Sequence, residues 1–206
     1  MELYYAETLS PRKACAAARH LGSPAAFVRV DMAKGEHERP EYLAMNPNGK
    51  VPLLVDGDLR LWEADAIMCH LAQKAGSDLW PGDGGRQVEV VRWLSWGADH
   101  FNRAGGALYF EHIIKPRFGL GAPDPAATEE ATASFRQFAR VLDDHLRGRA
   151  YLVGDALTIA DFAVAVTLPY ADEARIPLAE FAEVRRWHDR LCELPAWREP
   201  FPRDTA

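Results

Sequence analysis

The chain has 206 residues, enough for one or two domains of ordinary size with a substantial core. Hydrophobic residues make up 48% and charged residues 26%, the balance of a globular protein, which excludes a disordered acidic tail. With 24 basic against 30 acidic residues the net charge is −6, a sign that disfavours gripping nucleic acid or an anionic membrane as the main task. No apolar run approaches the roughly 20 residues that span a bilayer. Met1-Glu2-Leu3-Tyr4-Tyr5 opens without the basic and apolar segments of a secretory leader. The expectation is a cytoplasmic globular protein that contacts neither membrane nor nucleic acid.

The first seventy-five residues alternate in type. Leu3-Tyr4-Tyr5 reads as a short strand, and the alanine- and arginine-rich stretch 11–21 as a helix stopped by Gly22. Phe27-Val28-Arg29-Val30 alternates like a second strand, and 31–45 is polar loop with room for a short helix. Residues 51–55 and 59–62 flank Asp56-Gly57-Asp58, a tight-hairpin signal, and 64–74 carries a helical pattern. A helical crossover demands parallel pairing and an Asp-Gly turn demands an antiparallel pair, so a small mixed sheet with helices on its faces is expected over 1–77.

Glycines and prolines over 78–86 mark a linker, and from 87 to 206 no strand is legible. Residues 87–114 form a long helical pattern expected to break at Pro116. Thr128 is a candidate N-cap ahead of Glu129 and Glu130, followed by the stripe Phe135, Phe138, Leu142 and Leu146. Thr158-Ile159-Ala160-Asp161 has the spacing of a capping box before the apolar run 162–166. Phe181, Val184, Trp187 and Leu191 stripe a last helix between Pro177 and Pro195. An α/β domain thus precedes an all-α one. Cys15, Cys69 and Cys192 are scattered, lack metal-ligand spacing and read as small core residues, so no metal is expected.

Three places offer chemistry. Val51-Pro52 opens a strand: a cis bond there would turn the Val51 backbone outward to pair with an extended, peptide-like ligand, although an edge-strand proline explains the same letters. Ser10-Pro11 reads as N-cap and first helical residue directly after the first strand, where unpaired N–H groups and a partial positive charge attract an anion such as a thiolate. Glu63-Ala64-Asp65 stands at another helix start. Its amides suit a carboxylate and Glu63 suits an ammonium group, while plain acidic capping suits the same residues.

Three spans, Asn46-Pro47-Asn48-Gly49-Lys50-Val51-Pro52-Leu53-Leu54, Trp62-Glu63-Ala64-Asp65-Ala66-Ile67 and Leu157-Thr158-Ile159-Ala160-Asp161-Phe162, resemble the signature segments of cytosolic glutathione S-transferases. The likeness runs along essentially the whole chain. It implies a thioredoxin-like glutathione-binding domain over 1–77, an all-helical C-terminal bundle over 87–206, glutathione as co-substrate, and a homodimer. The opening from Leu3 through Gly22 is most similar to bacterial beta-class members, with Ser10 where that class has cysteine.

The resemblance assigns Ser10 as the catalytic hydroxyl donor to the glutathione sulfur, with Thr8 and Tyr5 as reserve donors. Val51, before Pro52, would pair with the cysteinyl unit, Glu63 and the Ala64 amide would hold the γ-glutamyl end, and Lys34 and Lys50 would meet the glycyl carboxylate. Thr158 and Asp161 match a folding motif. Ala64 departs from the family's usual serine, and Asn102 stands near the place of a beta-class histidine, with His100 half a turn away. Trp96, Phe101, Tyr109 and Phe110 are candidate walls for a hydrophobic electrophile. Glutathione-dependent reduction of disulfides or peroxides, and a non-catalytic binding role on the same scaffold, are the alternative functions.

Overall fold

The computed structural model describes residues 1–202. They divide into two units, Met1–Trp80 with the chain from Glu193 onward, and Pro81–Cys192. Strands β1 (Glu2–Tyr5), β2 (Ala26–Arg29), β3 (Leu53–Asp56) and β4 (Leu59–Trp62) form one sheet in the order β2-β1-β3-β4. The β1–β2 pair is parallel, and the β1–β3 and β3–β4 pairs are antiparallel, with Tyr4 opposite Leu53 and Leu54 opposite Leu61. Helices α1 (Leu9–His20), α2 (Pro40–Leu43) and α3 (Ala64–Lys74) complete the α/β layer.

Strand alternation sorts the side chains into two cores. Leu3, Tyr5 and Leu54 face α1 and α3, meeting Ala14, Cys15, Ala18, Ile67 and Leu71, while Tyr4 packs on the other face with Val30, Tyr42 and Leu53. Five consecutive small residues, Ala14 to Ala18, are wholly buried because α1 is covered on more than one side. Part of that cover is the chain end. Helix α10 (Pro195–Arg198) lies on α1, with Arg12 Nη2 donating to the Trp197 carbonyl at 2.6 Å and its guanidinium over the indole, and Phe201 stacks on Tyr5. Residues 193–202, expected in the helical domain, therefore belong to the first unit. Residues 203–206 of that expected domain lie outside the described residues.

The helical unit holds α4 (Gly84–Trp96), α5 (Asn102–Tyr109), α6 (Lys115–Phe118), α7 (Pro125–Leu146), α8 (Ile159–Val164) and α9 (Ala182–Cys192). The expected long helix over 87–114 begins earlier, at Gly84, and is not uniform: π-helical turns occupy Gly97–Phe101 and Phe110–Ile114. Pro116 does not break it. The second π-turn lies just ahead of the proline, where the ladder is already shifted, and the helix runs on to Gly119 at φ +65. Helix α7 is capped by Asp124, whose Oδ1 accepts from the amides of Ala126 and Ala127 at 2.9 and 3.4 Å, not by Thr128. The apolar run 162–166 leaves α-helix at Val164 and continues as a 3-10 segment, Ala165–Tyr170, that contains Pro169.

The unit's densest point is Asp161. This fully buried carboxylate accepts from the Leu152 and Thr158 amides and from Trp187 Nε1, each at 2.9 Å, and from the Thr158 hydroxyl at 3.1 Å. Burial pushes its carboxyl upward and the four donors oppose that push. Nearby, Gly97 and Gly105 allow backbones to approach: a Cβ on Gly105 would lie 2.6 Å from Thr167 Oγ1, and one on Gly97 would lie 3.0 Å from Val164 Cγ2.

Candidate functional site

The expected chemistry gathers in the first unit, in a cleft of about 230 Å³. Ser10 lies on its wall, together with Lys50, Val51 and Pro52 from the approach to β3 and Glu63 and Ala64 from the start of α3. Asn46, Asn48 and Trp62 complete the lining. The Val51–Pro52 bond is cis. Val51 precedes the ladder, which begins at Leu53.

Ser10 is exposed, but its place in the helix differs from the expectation. Thr8, extended at φ −136, is the N-cap, Arg12 N–H bonds the Thr8 carbonyl at 3.0 Å, and Ser10 is the second helical residue. Pro11 is accommodated one position further in because no amide of the first turn has an intrahelical partner to lose. At α3, Glu63 occupies the cap position at φ 70 and ψ 117, a region that costs a non-glycine residue about 1–3 kcal/mol. Neither α1 nor α3 has a side-chain cap bond among the described residues, so both helix starts present free N–H groups and positive dipole ends.

The loop before Val51 is held by side chains that the sequence reading passed over. Asn46 is 1% exposed; its Nδ2 donates to the Lys50 carbonyl at 2.7 Å and its Oδ1 accepts from the Asn48 amide at 3.1 Å. The Tyr42 hydroxyl donates to the same Lys50 carbonyl at 2.7 Å, and burial raises its pKa to about 12, so it stays a donor at neutral pH. Gly49 turns the chain at φ +58. The Asn-Pro-Asn-Gly span carries the signal for both residues, since asparagine side chains in turns hydrogen-bond backbone a few residues on. Trp62, 41% exposed at the end of β4, gave no sequence cue beyond its place beside Glu63.

Other expected residues are elsewhere. Lys34 is 74% exposed, sits 3.1 Å from Asp31, and does not line the cleft. That ammonium also holds the Asp31 carboxyl below its ordinary value. Tyr5 is 3% exposed between Phe27 and Phe201 and is a core ring, not a reserve donor. In the helical unit, Asn102 Nδ2 donates to the Ala163 carbonyl at 2.8 Å. With Gly97 and Gly105 nearby packed close to Val164 and Thr167, Asn102 belongs to a helix–helix contact, where its Nδ2 is bonded and its buried Oδ1 has no hydrogen-bond partner.

Two of the four electrophile candidates are core residues. Phe101 is fully buried between Trp96 and Phe135, and Tyr109 is 5% exposed against Tyr170. Their stretch of helix faces inward, which a 3.6-residue period could not reveal across two π-turns. Phe110 remains open at 44% exposure, with the Lys115 ammonium 5.9 Å from its ring, and Trp96 is half-buried. Cys15 is fully buried, Cys69 and Cys192 are half-buried, and burial pushes the thiols of Cys15 and Cys69 up, away from reactivity. Among the described residues no group of three or more His, Cys, Asp or Glu side chains is arranged to hold a metal, and no helix is long and apolar enough to cross a membrane.

Comparison with known proteins gives these features relatives. Residues 3–73 match the family described as glutathione S-transferase, N-terminal domain, and residues 125–203 match glutathione S-transferase, C-terminal domain. Glutathione S-transferase 3 of Zea mays is 35% identical over 181 residues, 84% of this chain and 80% of that protein. Glutathione S-transferase F10 of Arabidopsis thaliana is 32% identical, covering 84% of this chain and 82% of the relative. Among solved structures, glutathione S-transferase I from mais in complex with an atrazine glutathione conjugate matches with a TM-score of 0.88 at 28% identity, covering 97% of this chain and 95% of the other. These relatives are plant phi-class proteins, so the expected likeness to the bacterial beta class is not supported. The beta-class place given to Asn102 loses its basis with it.

Proposed function

Because the chain belongs to the glutathione S-transferase family, an enzyme family that joins glutathione through its sulfur to electrophiles, we propose that the cleft beside Ser10 is where this chain holds and activates that co-substrate. The observation that carries the reading is the gathering of Ser10, Lys50, Val51, Glu63 and Ala64 around one hollow from three separate stretches of chain. The donor set fits a tripeptide with two carboxylates, one ammonium and one thiol. The free amides at the start of α3 take the γ-glutamyl carboxylate, and Glu63 takes the adjoining ammonium. Lys50 faces the glycyl carboxylate. The Val51 backbone pairs with the cysteinyl unit in the manner of strand addition. With Ala64 in place of serine, no hydroxyl adds to the α3 amides, and such a bond to a charged group contributes roughly 1.5–3 kcal/mol.

When bound, glutathione supplies the nucleophilic sulfur. Ser10 donates its hydroxyl proton in a hydrogen bond to that sulfur, and the first-turn amides of α1 add positive potential. A free thiol with pKa about 8.5 is only a few per cent ionised at pH 7, and about 1.4 kcal/mol of preferential binding to the thiolate raises that fraction tenfold. Ser10→Ala is expected to lower turnover with a chlorinated aromatic substrate tenfold or more, about 1.4 kcal/mol in barrier, with little change in glutathione affinity by calorimetry. Equal turnover in the two proteins removes Ser10 from this role.

Assembly as a cytoplasmic homodimer is part of the same reading. Support comes from Val88 and Val91 on α4, which are 67% and 49% exposed and one turn apart. Light scattering is expected to return twice the 23.0 kDa chain mass, and a single-chain mass contradicts it.

A further inference from the structure

One ion pair joins the two helix starts that border the cleft. Lys13 Nζ lies 2.6 Å from Asp65 Oδ1, and the side chains are only 12% and 28% exposed. Lys13 stands three residues after Ser10 on α1, on the same helix face, and Asp65 directly follows Glu63 and Ala64 in the first turn of α3. The contact is close in distance but is not an aligned hydrogen bond, so its character is mainly Coulombic.

The pair's chemistry is not consumed by core packing or by any ligand contact assigned above. A half-buried ammonium one turn from Ser10 favours a thiolate held there, and a half-buried carboxylate opposes it. Resting on the reading that Ser10 holds the glutathione sulfur, we propose that Lys13 and Asp65 are positioning residues. Together they fix the spacing of the α1 and α3 starts and trim the ionisation of the bound thiol. Because the two charges balance, the hydroxyl and helix start at Ser10 act against a nearly neutral background.

Other charged groups stand on the elements around this point, Arg198 of α10, which packs on α1, and the following Glu199 among them. Lys50 and Glu63 line the cleft from the approach to β3 and the start of α3. Glu7, two residues past β1, and Arg29, at the end of β2, hold each other in a paired contact of 2.7 and 3.1 Å. On the far side of α1, Arg12 is turned to the Trp197 carbonyl. Each single substitution leaves one charge of the pair without the partner it has in the parent.

The test is the pH titration of thiolate absorbance at saturating glutathione, in the parent, Ser10→Ala, Lys13→Met, Asp65→Asn and the Lys13→Met/Asp65→Asn double variant. Lys13→Met is expected to raise the bound thiol's pKa by about half a unit to one unit, Asp65→Asn to lower it by a similar amount, and the double variant to return near the parent. Lys13→Arg preserves the parent value. Simple loosening of the α1–α3 contact moves both single variants the same way, upward, and that result or unchanged values overturns the proposal. Should Lys13→Met fail to fold, Asp65→Asn decides alone, since only a charge effect lowers the pKa. Absence of any bound thiolate in the parent, or a parent-like value in Ser10→Ala, sinks the Ser10 reading and this inference with it. Same-direction shifts beside a responsive Ser10→Ala sink this inference only.

Discussion

Helix starts are treated in opposite ways in the two units. In the helical unit four of them, those of α4, α7, α8 and α9, are closed by the chain's own carboxylates. Asp83 accepts from the Arg86 amide before α4, Asp124 caps α7, Asp161 reaches back to the Thr158 amide at α8, and Asp143 accepts from the Glu183 and Val184 amides of α9. In the α/β unit, α1 and α3 lack any side-chain cap bond among the described residues, and their first turns border a polar cleft. A capped start contributes stability, typically about 1 kcal/mol; an open one keeps donors and dipole available to a ligand. The acidic caps thus stand at helix starts of the helical unit and are missing from the two starts that border the cleft proposed to hold glutathione.

The sharpest way to break the closed side is Asp161→Ala. Four buried donors lose their acceptor together, and the expected cost is about 3–5 kcal/mol, a loss of roughly 10 °C or more in melting temperature by calorimetry. A loss near 2 °C means that the knot is not what holds α8 and α9 together.

Thr8→Asp sharpens the comparison from the open side. A carboxylate at the α1 N-cap satisfies free amides and complements the dipole, so the melting temperature is expected to rise by one or two degrees. The same charge opposes a thiolate beside Ser10, so the KM for glutathione is expected to rise severalfold. A gain in both stability and affinity contradicts the claim that openness at α1 serves binding.

The smallest effect concerns acid. Glu111, 6% exposed, accepts from Lys115 Nζ and from the Asp124 amide, both at 2.7 Å, and the Lys115 ammonium first, then that amide, hold its carboxyl below the ordinary value of 4.5. A depressed folded-state pKa gives stability that is present above the unfolded value and is lost as pH falls through the folded one. Chemical denaturation of Glu111→Gln and the parent is therefore expected to differ at pH 7 and to converge well below pH 4.5. A gap that persists in acid shows that the charge is not the source.

The division into an α/β and a helical region was legible because β-strand alternation and hairpin signals stop near Trp80. Ser10, Val51 and Glu63 were legible because the punctuation around them, Ser-Pro, Val-Pro and an acidic helix start, has few physical uses. What was not legible depended on geometry that letters leave undetermined. Thr8 and Ser10 are both acceptable caps, and only the observed register chooses between them. Phe101 ends a π-turn and Asn102 follows it; the first was expected on a cleft wall and the second was placed by a beta-class likeness, and neither the pattern nor the likeness shows that Phe101 is buried and Asn102 Nδ2 is bonded to Ala163. The return of residues 193–202 to α1 is a long-range contact, Arg12 with Trp197, that no local pattern encodes.

The most direct measurement is an amide NMR titration of the isotope-labelled chain with glutathione. Large, saturable shifts are expected at the Ser10, Val51 and Ala64 amides, with the capped starts at Arg86, Ala126 and Thr158 unmoved. Shifts that spare all three cleft amides, or that fall on capped and open helix starts alike, contradict the account.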